Sequence, residues 1–150
     1  MSRRTEFFCN RANLADLSAY LSLCDGLFSP PLNRLVNINT YAQKIQDNAT
    51  RFEAWYGRRL VGLIAAYCNA SDKKIAFITS ISVVPEWQGH GIASELISRC
   101  IQHIRNQEFW FIELEVDSSN YAALSLYKKF QFATLETRNG TMLMNLKVRA

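Results

Sequence analysis

Val83-Val84-Pro85-Glu86-Trp87-Gln88-Gly89-His90-Gly91-Ile92-Ala93 is the stretch on which the reading of this chain turns. Strand-like apolar sequence runs up to Val84, and Pro85 then forces a turn. Two glycines follow, ahead of Ala93, Leu96, Ile97, Cys100, Ile101 and Ile104, a stripe at helical spacing with Glu95, Arg99, Gln102 and His103 opposite. The first N–H groups of a helix have no partner within it, and the helix dipole adds partial positive charge there. Glycines omit the Cβ atoms that would hold a phosphate away. The junction predicts an anion site at a helix start, although a plain tight turn would use the same glycines. A P-loop is excluded, because no lysine follows the glycines. A dinucleotide fingerprint needs a third glycine where Ser94 stands, and its strand should run straight into the first one. Glu113 and Glu115 lie about where that fingerprint's ribose-binding acid belongs, so it stays open as the weaker alternative.

Upstream, residues 51–56 and 60–68 read as strands joined by a tight hairpin at Gly57-Arg58-Arg59, and a third strand, 75–83, follows closely. Such short connections make antiparallel neighbours. Phe77, Ile81 and Val83 are expected on one face of the third strand. A short strand, 5–9, opens the chain. Leu14, Leu17, Leu21, Cys24 and Phe28 then mark a helix ended by Ser29-Pro30-Pro31, and Thr40 is expected to cap a second helix carrying Tyr41, Ile45 and Phe52. Downstream come a strand at 109–116, a helix capped by Asn120 with Ala123, Leu124, Tyr127 and Phe130 buried, and a hairpin, 133–148, turning at Asn139-Gly140. Strand–helix–strand through 75–116 requires a parallel crossover. The expected fold is α/β: a mixed, mostly antiparallel central sheet with one parallel crossover, flanked by helices, in a single domain over 1–150.

Composition agrees with a globular protein, at 49% hydrophobic and 20% charged residues. The net charge of +4 is spread over short pairs such as Arg3-Arg4, Arg58-Arg59 and Lys73-Lys74. A nucleic-acid binder would gather such charge into a patch; a small phosphorylated ligand fits better. The longest apolar run, 60–68, is about half a membrane span, and the first ten residues hold no signal-peptide core. Cys9, Cys24, Cys68 and Cys100 show no CxxC pair and no metal-ligand spacing to a histidine. They are expected to be reduced core residues of a cytoplasmic protein without a metal, a nucleic-acid partner or a membrane.

Gln88-Gly89-His90-Gly91-Ile92-Ala93 resembles the Arg/Gln-x-x-Gly-x-Gly/Ala motif of the GCN5-related N-acetyltransferases, the GNAT superfamily, and Ile81-Ser82-Val83-Val84-Pro85 resembles that family's fourth strand and its exit. Leu114-Glu115-Val116, Asn120, Ala123 and Leu126-Tyr127 are similar to the Leu-Glu-Val…Asn-x-x-Ala…Leu-Tyr run of the branch that acetylates ribosomal-protein N-termini. The likeness covers 75–132, and only the element order before that. One departure is Gln131, where the family has glycine, so the helix end is expected to close differently.

The resemblance implies acetyl-CoA as cosubstrate. It places backbone groups of Ile81 and Val83, with Ser82 between them, against the pantetheine arm. N–H groups from Gly89, His90, Gly91, Ile92, Ala93 and Ser94, beside Gln88, would meet the pyrophosphate, and Asn120 would touch the arm while capping its helix. Tyr127 would protonate the departing thiolate, a task suited to a phenol that stays protonated at neutral pH. Glu115 would accept the amine's proton, directly or through water. On register alone Tyr127 is a core residue, and one or both of Glu113 and Glu115, which share a face, would be ion-paired with nearby Lys or Arg. Glu113 could equally bind a cationic amine. His90 and His103 are expected to be solvated, and Trp87 to pack. The acceptor is expected to be a small primary amine such as an amino sugar, or else a peptide or protein N-terminus, with the break at 28–32 as a wall of its site. A strongly acidic patch is not obvious. A catalytically silent acyl-CoA-binding module is the reading from another class, and the assembly is expected to be a monomer or homodimer.

Overall fold

The computed structural model describes residues 4–27, 33 and 37–149. In chain order the elements are β1 (Glu6–Cys9), α1 (Leu14–Leu23), α2 (Ile38–Asn48), β2 (Thr50–Tyr56), β3 (Arg59–Tyr67), β4 (Ile75–Val83), α3 (Ile92–Asn106), β5 (Phe111–Asp117), α4 (Tyr121–Lys129), β6 (Ala133–Arg138) and β7 (Thr141–Lys147). All seven strands form one sheet in the order β1-β2-β3-β4-β5-β7-β6. Every pairing is antiparallel except β4 with β5, across the α3 crossover. This is the expected mixed sheet, and it removes the dinucleotide alternative, which needs a doubly wound parallel one. The last hairpin turns at Asn139 (φ 52°) and Gly140 (φ 79°), the two left-handed positions of a type I′ turn.

The helices divide between the faces. A Cβ on Gly62 would stand 2.9 Å from Ile92 and 3.2 Å from Leu96, so this glycine lets α3 lie close on β3. Its neighbours in register face the other way, where Tyr20 of α1 donates to the Ser82 carbonyl at 3.0 Å and Tyr41 of α2 to that of Thr79 at 2.8 Å. Leu96, Ile97, Cys100 and Ile104 bury the α3 stripe, while Leu17, Leu21, Ala42 and Ile45 bury the inner sides of α1 and α2.

A bulge in β4 corrects one expectation. Ala65 pairs with Ser80 and Ala66 with Ile78, so Thr79 has no opposite number. An extra residue reverses the alternation beyond it. Phe77 therefore faces α1 and α2, whereas Ile81 and Val83 face α3.

Four smaller expectations also change. Asn37, not Thr40, caps α2; Thr40 is the third helical residue, and its N–H donates to Asn37 Oδ1 at 3.0 Å. Phe52 lies in β2, because the chain becomes extended at Ala49. Cys24 and Cys100 are buried, but Cys68 is half-buried and Cys9 exposed at the end of an edge strand. The end of α4 closes as a glycine would close it. Gln131 adopts φ 73°, its N–H donates to Lys128 O at 2.9 Å, and Phe132 N–H donates to Tyr127 O at 3.1 Å, the paired bonds of a Schellman cap. The 28–32 break lies outside the described residues. No helix among the described residues is long and apolar enough to cross a membrane.

Candidate functional site

The site begins where the sheet forks. β3 accompanies β4 as far as Val83, but β4 and β5 pair only from Ile75–Phe111 to Ile78–Leu114. Val84 N–H donates to Val61 O at 2.9 Å, which turns the even residues of this segment toward β3. Successive strand residues alternate, so the backbone groups of Ile81 and Val83 face the gap between β4 and β5. One of them has a partner: Gln88 Nε2 donates to Val83 O at 3.1 Å. That contact engages the side chain of Gln88, which the family likeness counts among the cofactor-binding residues.

The start of α3 faces the same gap. Asn13, Asn37 and Asn120 each close the start of their helix by accepting a first-turn N–H. Gly91, at φ 77°, gives α3 no side-chain cap. The first helical bond runs from Glu95 N–H to Gly91 O, leaving the N–H groups of Ile92, Ala93 and Ser94 without a helical acceptor. Gly89 also needs its left-handed φ, 81°, and a Cβ on either glycine would meet nothing within 4 Å. The glycines thus serve backbone conformation beside open space. That space is a cleft of about 350 Å³. Ile81, Ser82 and Val83 form its floor, Trp87, Gln88, Gly89 and the Gly91–Ser94 turn one wall, and Ala122, Ala123 and Leu126 of α4 the other. An anionic, extended ligand of the CoA type fits this donor set: amides without helical acceptors at one end, a strand edge that no other strand pairs along the floor, and two alanines opposite.

Not every expected residue lines the cleft. His90 lies outside its wall, with an exposed ring whose Nδ1 is 3.1 Å from Gln88 O. Trp87 is buried, its ring 4.9 Å from Tyr56 and 5.7 Å from His90, yet it also borders the cleft. His103 is half-buried edge-on against Phe52 rather than solvated. Asn120 Oδ1 accepts Ala123 N–H at 3.2 Å, as a cap should. Tyr127, only 7% exposed, sits one helical turn beyond Ala123 and packs its ring 6.1 Å from Phe132. Its hydroxyl makes no hydrogen bond among the described residues, and burial pushes its pKa up to about 12. Nothing in the sequence marks Ala122, Ala123 and Leu126 as a cleft wall, since alanine and leucine are ordinary helix formers.

Glu115 is on the other face. The buried alternates of β5 are Ile112, Leu114 and Val116, so Glu113, Glu115 and Asp117 point away from α3 and α4. Glu115 is exposed and borders a second cleft of about 340 Å³ with Glu136, Arg138, Asn139, Thr141 and Leu143. Glu113 accepts a hydrogen bond from Asn145 Nδ2 at 3.0 Å. Neither glutamate forms an ion pair among the described residues. Cross-strand register lines up Glu115–Leu143–Glu136 and Asp117–Thr141–Arg138. Four carboxylates thus collect on this face around Arg138, which pairs with Glu136 at 2.7 Å. The register supplies an acidic patch where the sequence alone showed none. Nearby, Tyr41 Oη lies 2.7 Å from Thr79 Oγ1 and Tyr20 Oη 3.1 Å from Ser82 Oγ.

With this geometry in view, comparison with known proteins is direct. The Acetyltransferase (GNAT) family model matches residues 17–132, more than half of the chain, and the chain belongs to that family. It is 23% identical over 121 residues to the L-2,4-diaminobutyric acid acetyltransferase of Vibrio parahaemolyticus, covering 77% of this chain and 64% of that protein. The chain spans less than two thirds of that relative's length, and still less of two other curated relatives it matches. Its fold is similar to the ribosomal-protein-S18-alanine N-acetyltransferase from Escherichia coli, with a TM-score of 0.78 at 19% identity over 98% of this chain and 96% of that one. It is also similar to the PaiA N-acetyltransferase from Thermoplasma acidophilum in complex with coenzyme A, with a TM-score of 0.74 at 15% identity over 95% and 99% of the two chains.

Proposed function

We propose that this chain transfers an acetyl group from acetyl-CoA to a primary amine, with the cosubstrate on the α3 side of the fork and the amine arriving from the α1 side. One observation carries the reading: the uncapped start of α3 and the unpaired edge of β4 border a single cleft. Acetyl-CoA supplies an activated thioester. The N–H groups from Gly89 to Ser94 hold its pyrophosphate, and the gap-facing backbone of Ile81 and Val83, with Ser82 beside them, aligns its arm as an added strand would. Gln88 steadies the floor by holding Val83 O. His90 contributes its amide to the loop. Asn120 keeps its Nδ2 free for the arm, since its Oδ1 is the cap.

Tyr127 gives its proton to the departing sulfur. Its raised pKa keeps the phenol protonated at every physiological pH. Glu115 takes the proton of the attacking amine, directly or through water. Glu113 is the lesser candidate, because Asn145 already holds it. The acidic face favours an amine that arrives as a cation. A small amine such as an amino sugar is the acceptor we favour. Likeness to the S18-alanine N-acetyltransferase makes a peptide N-terminus the second reading.

The whole reaction is tested by titrating acetyl-CoA calorimetrically and then following thiol release across an amine panel. Saturable binding with amine-dependent thiol release is expected. Binding without release from any amine would point to a silent acyl-CoA-binding module, and no binding would remove the reading.

A further inference from the structure

The face opposite the cosubstrate cleft holds two buried hydroxyls that nothing among the described residues satisfies. Ser80 is 3% exposed, and neither its Oγ nor the buried Oη of Tyr67 has a hydrogen-bond partner among the described residues. Native interiors leave few such groups, and an unpaired one is unfavourable until something meets it. Neighbouring hydroxyls are already engaged: Thr79 with Tyr41, and Ser82 with Tyr20. Both orphans adjoin the Thr79 bulge, where β4 begins to leave β5. Register ties them to the carboxylates. Tyr67, Phe77, Glu113 and Asn145 form one cross-strand row, and Glu115 lies on the next row toward the open end of the fork.

We propose that Tyr67 and Ser80 are specificity-determining residues for the acceptor, their hydroxyls receiving a neutral hydroxyl group that the amine substrate carries. This rests on the acetyltransferase reading above and deepens it. A hydroxyl both donates and accepts, so it can answer two rotatable hydroxyls at once. A carboxylate-bearing amine would meet Glu113, Glu115, Asp117 and Glu136 on the same face, where the cations are fewer: Arg138 is paired with Glu136, Lys147 lies one row beyond Glu113, and Lys44 lies over the Tyr67 ring at 5.3 Å. A purely alkyl amine would leave both orphans unpaired, which a site built for a hydrogen bond rejects. The acceptor class is therefore a hydroxylated amine, an amino alcohol or amino sugar.

The test uses matched primary amines: 2-aminoethanol against propylamine, glucosamine against cyclohexylamine, and β-alanine as the carboxylate member. Each is titrated calorimetrically into CoA-saturated protein and assayed for thiol release with acetyl-CoA. The hydroxylated member is expected to lead by at least about tenfold in kcat/KM, mainly through KM. Tyr67→Phe and Ser80→Ala should each shrink that lead below about threefold and leave the acetyl-CoA Kd unchanged. Without ligand, neither substitution should lower Tm, because the lost hydroxyl had no partner. The inference is overturned by equal use of both members, by preference for β-alanine, by no binding of any hydroxylated amine, or by a lower Tm in both variants. The last result would mean that buried water already satisfies the hydroxyls. Any of these with normal acetyl-CoA binding strikes this inference alone; loss of acetyl-CoA binding strikes the reading beneath it.

Discussion

The two faces of the fork are built from different materials. On the α3 side the cleft presents mainly backbone: uncapped amides and a strand edge, with Ala122 and Ala123 opposite. On the α1 side it presents side chains: carboxylates in cross-strand rows and hydroxyls around a bulge. A backbone site serves one invariant ligand and asks of the sequence only glycines and a helix start. A side-chain site can be rebuilt residue by residue for a new acceptor. The contrast predicts that substitutions on the two faces separate cosubstrate affinity from turnover and acceptor choice.

The largest effects should come from the groups assigned to proton transfer. Tyr127→Phe is expected to lower kcat by roughly 10²–10⁴-fold while the acetyl-CoA Kd moves little. Glu115→Gln should cost on the order of 10²-fold in kcat, and Glu113→Gln only a few-fold. Pre-steady-state thiol release measures all three, and a Glu113 effect exceeding that of Glu115 would exchange their roles. Next, Gly91→Asp places a carboxylate and a strained backbone at the amides of α3. It should weaken acetyl-CoA binding by about 100-fold, roughly 2.7 kcal/mol, as read by calorimetry. An unchanged Kd would mean that the anion binds elsewhere.

Alkaline unfolding probes both faces at once. Tyr127 on one face and Tyr41 on the other are each pushed up to about 12 by burial, against an unfolded value near 10. Their folded pKa values are raised, so this contribution is fully present below pH 10 and is lost as pH rises toward 12. Denaturant titrations should show a decline across that window of roughly 2–3 kcal/mol per phenol. Tyr127→Phe should remove its share of the decline and leave that of Tyr41; an unaltered slope would show that the Tyr127 phenol ionises freely. The smallest effect lies off both faces. Gln131→Gly relieves a left-handed residue and should raise stability by about 1 kcal/mol without altering turnover. A loss of stability would mean that the glutamine side chain contributes contacts of its own.

How much the sequence disclosed follows the same division. The α3 face was legible because its elements are contiguous: one strand, one turn and one helix start lie between Ile75 and Asn106. Glycines at 89 and 91 announce backbone geometry directly, and Asn120 announces a cap. The α1 face was mostly hidden. Glu115 and Glu136 meet through Leu143, and only strand register brings them together. The bulge at Thr79 leaves no mark in the hydrophobic pattern, yet it reverses which way Phe77 faces relative to Ile81. Glu53 was missed for the same reason. It reads as an ordinary strand residue, but it is fully buried and accepts from the backbone of Arg11 and Ala12, from Arg51 Nε and from Trp55 Nε1. Buried carboxylates with several donors are recognisable only once distant segments have been brought together. At Gln131 the sequence departed from the family while the backbone did not, because local hydrogen bonds at the end of α4 hold the left-handed turn.

Acetyl-CoA titrated into ¹⁵N-labelled protein, followed amide by amide, tests the central claim most directly. The account predicts saturable shifts at Ile81, Val83 and the run from Gly89 to Ser94, with the asparagine-capped starts of α1 and α2 unmoved. Saturable binding that leaves Ile92, Ala93 and Ser94 unperturbed would contradict it.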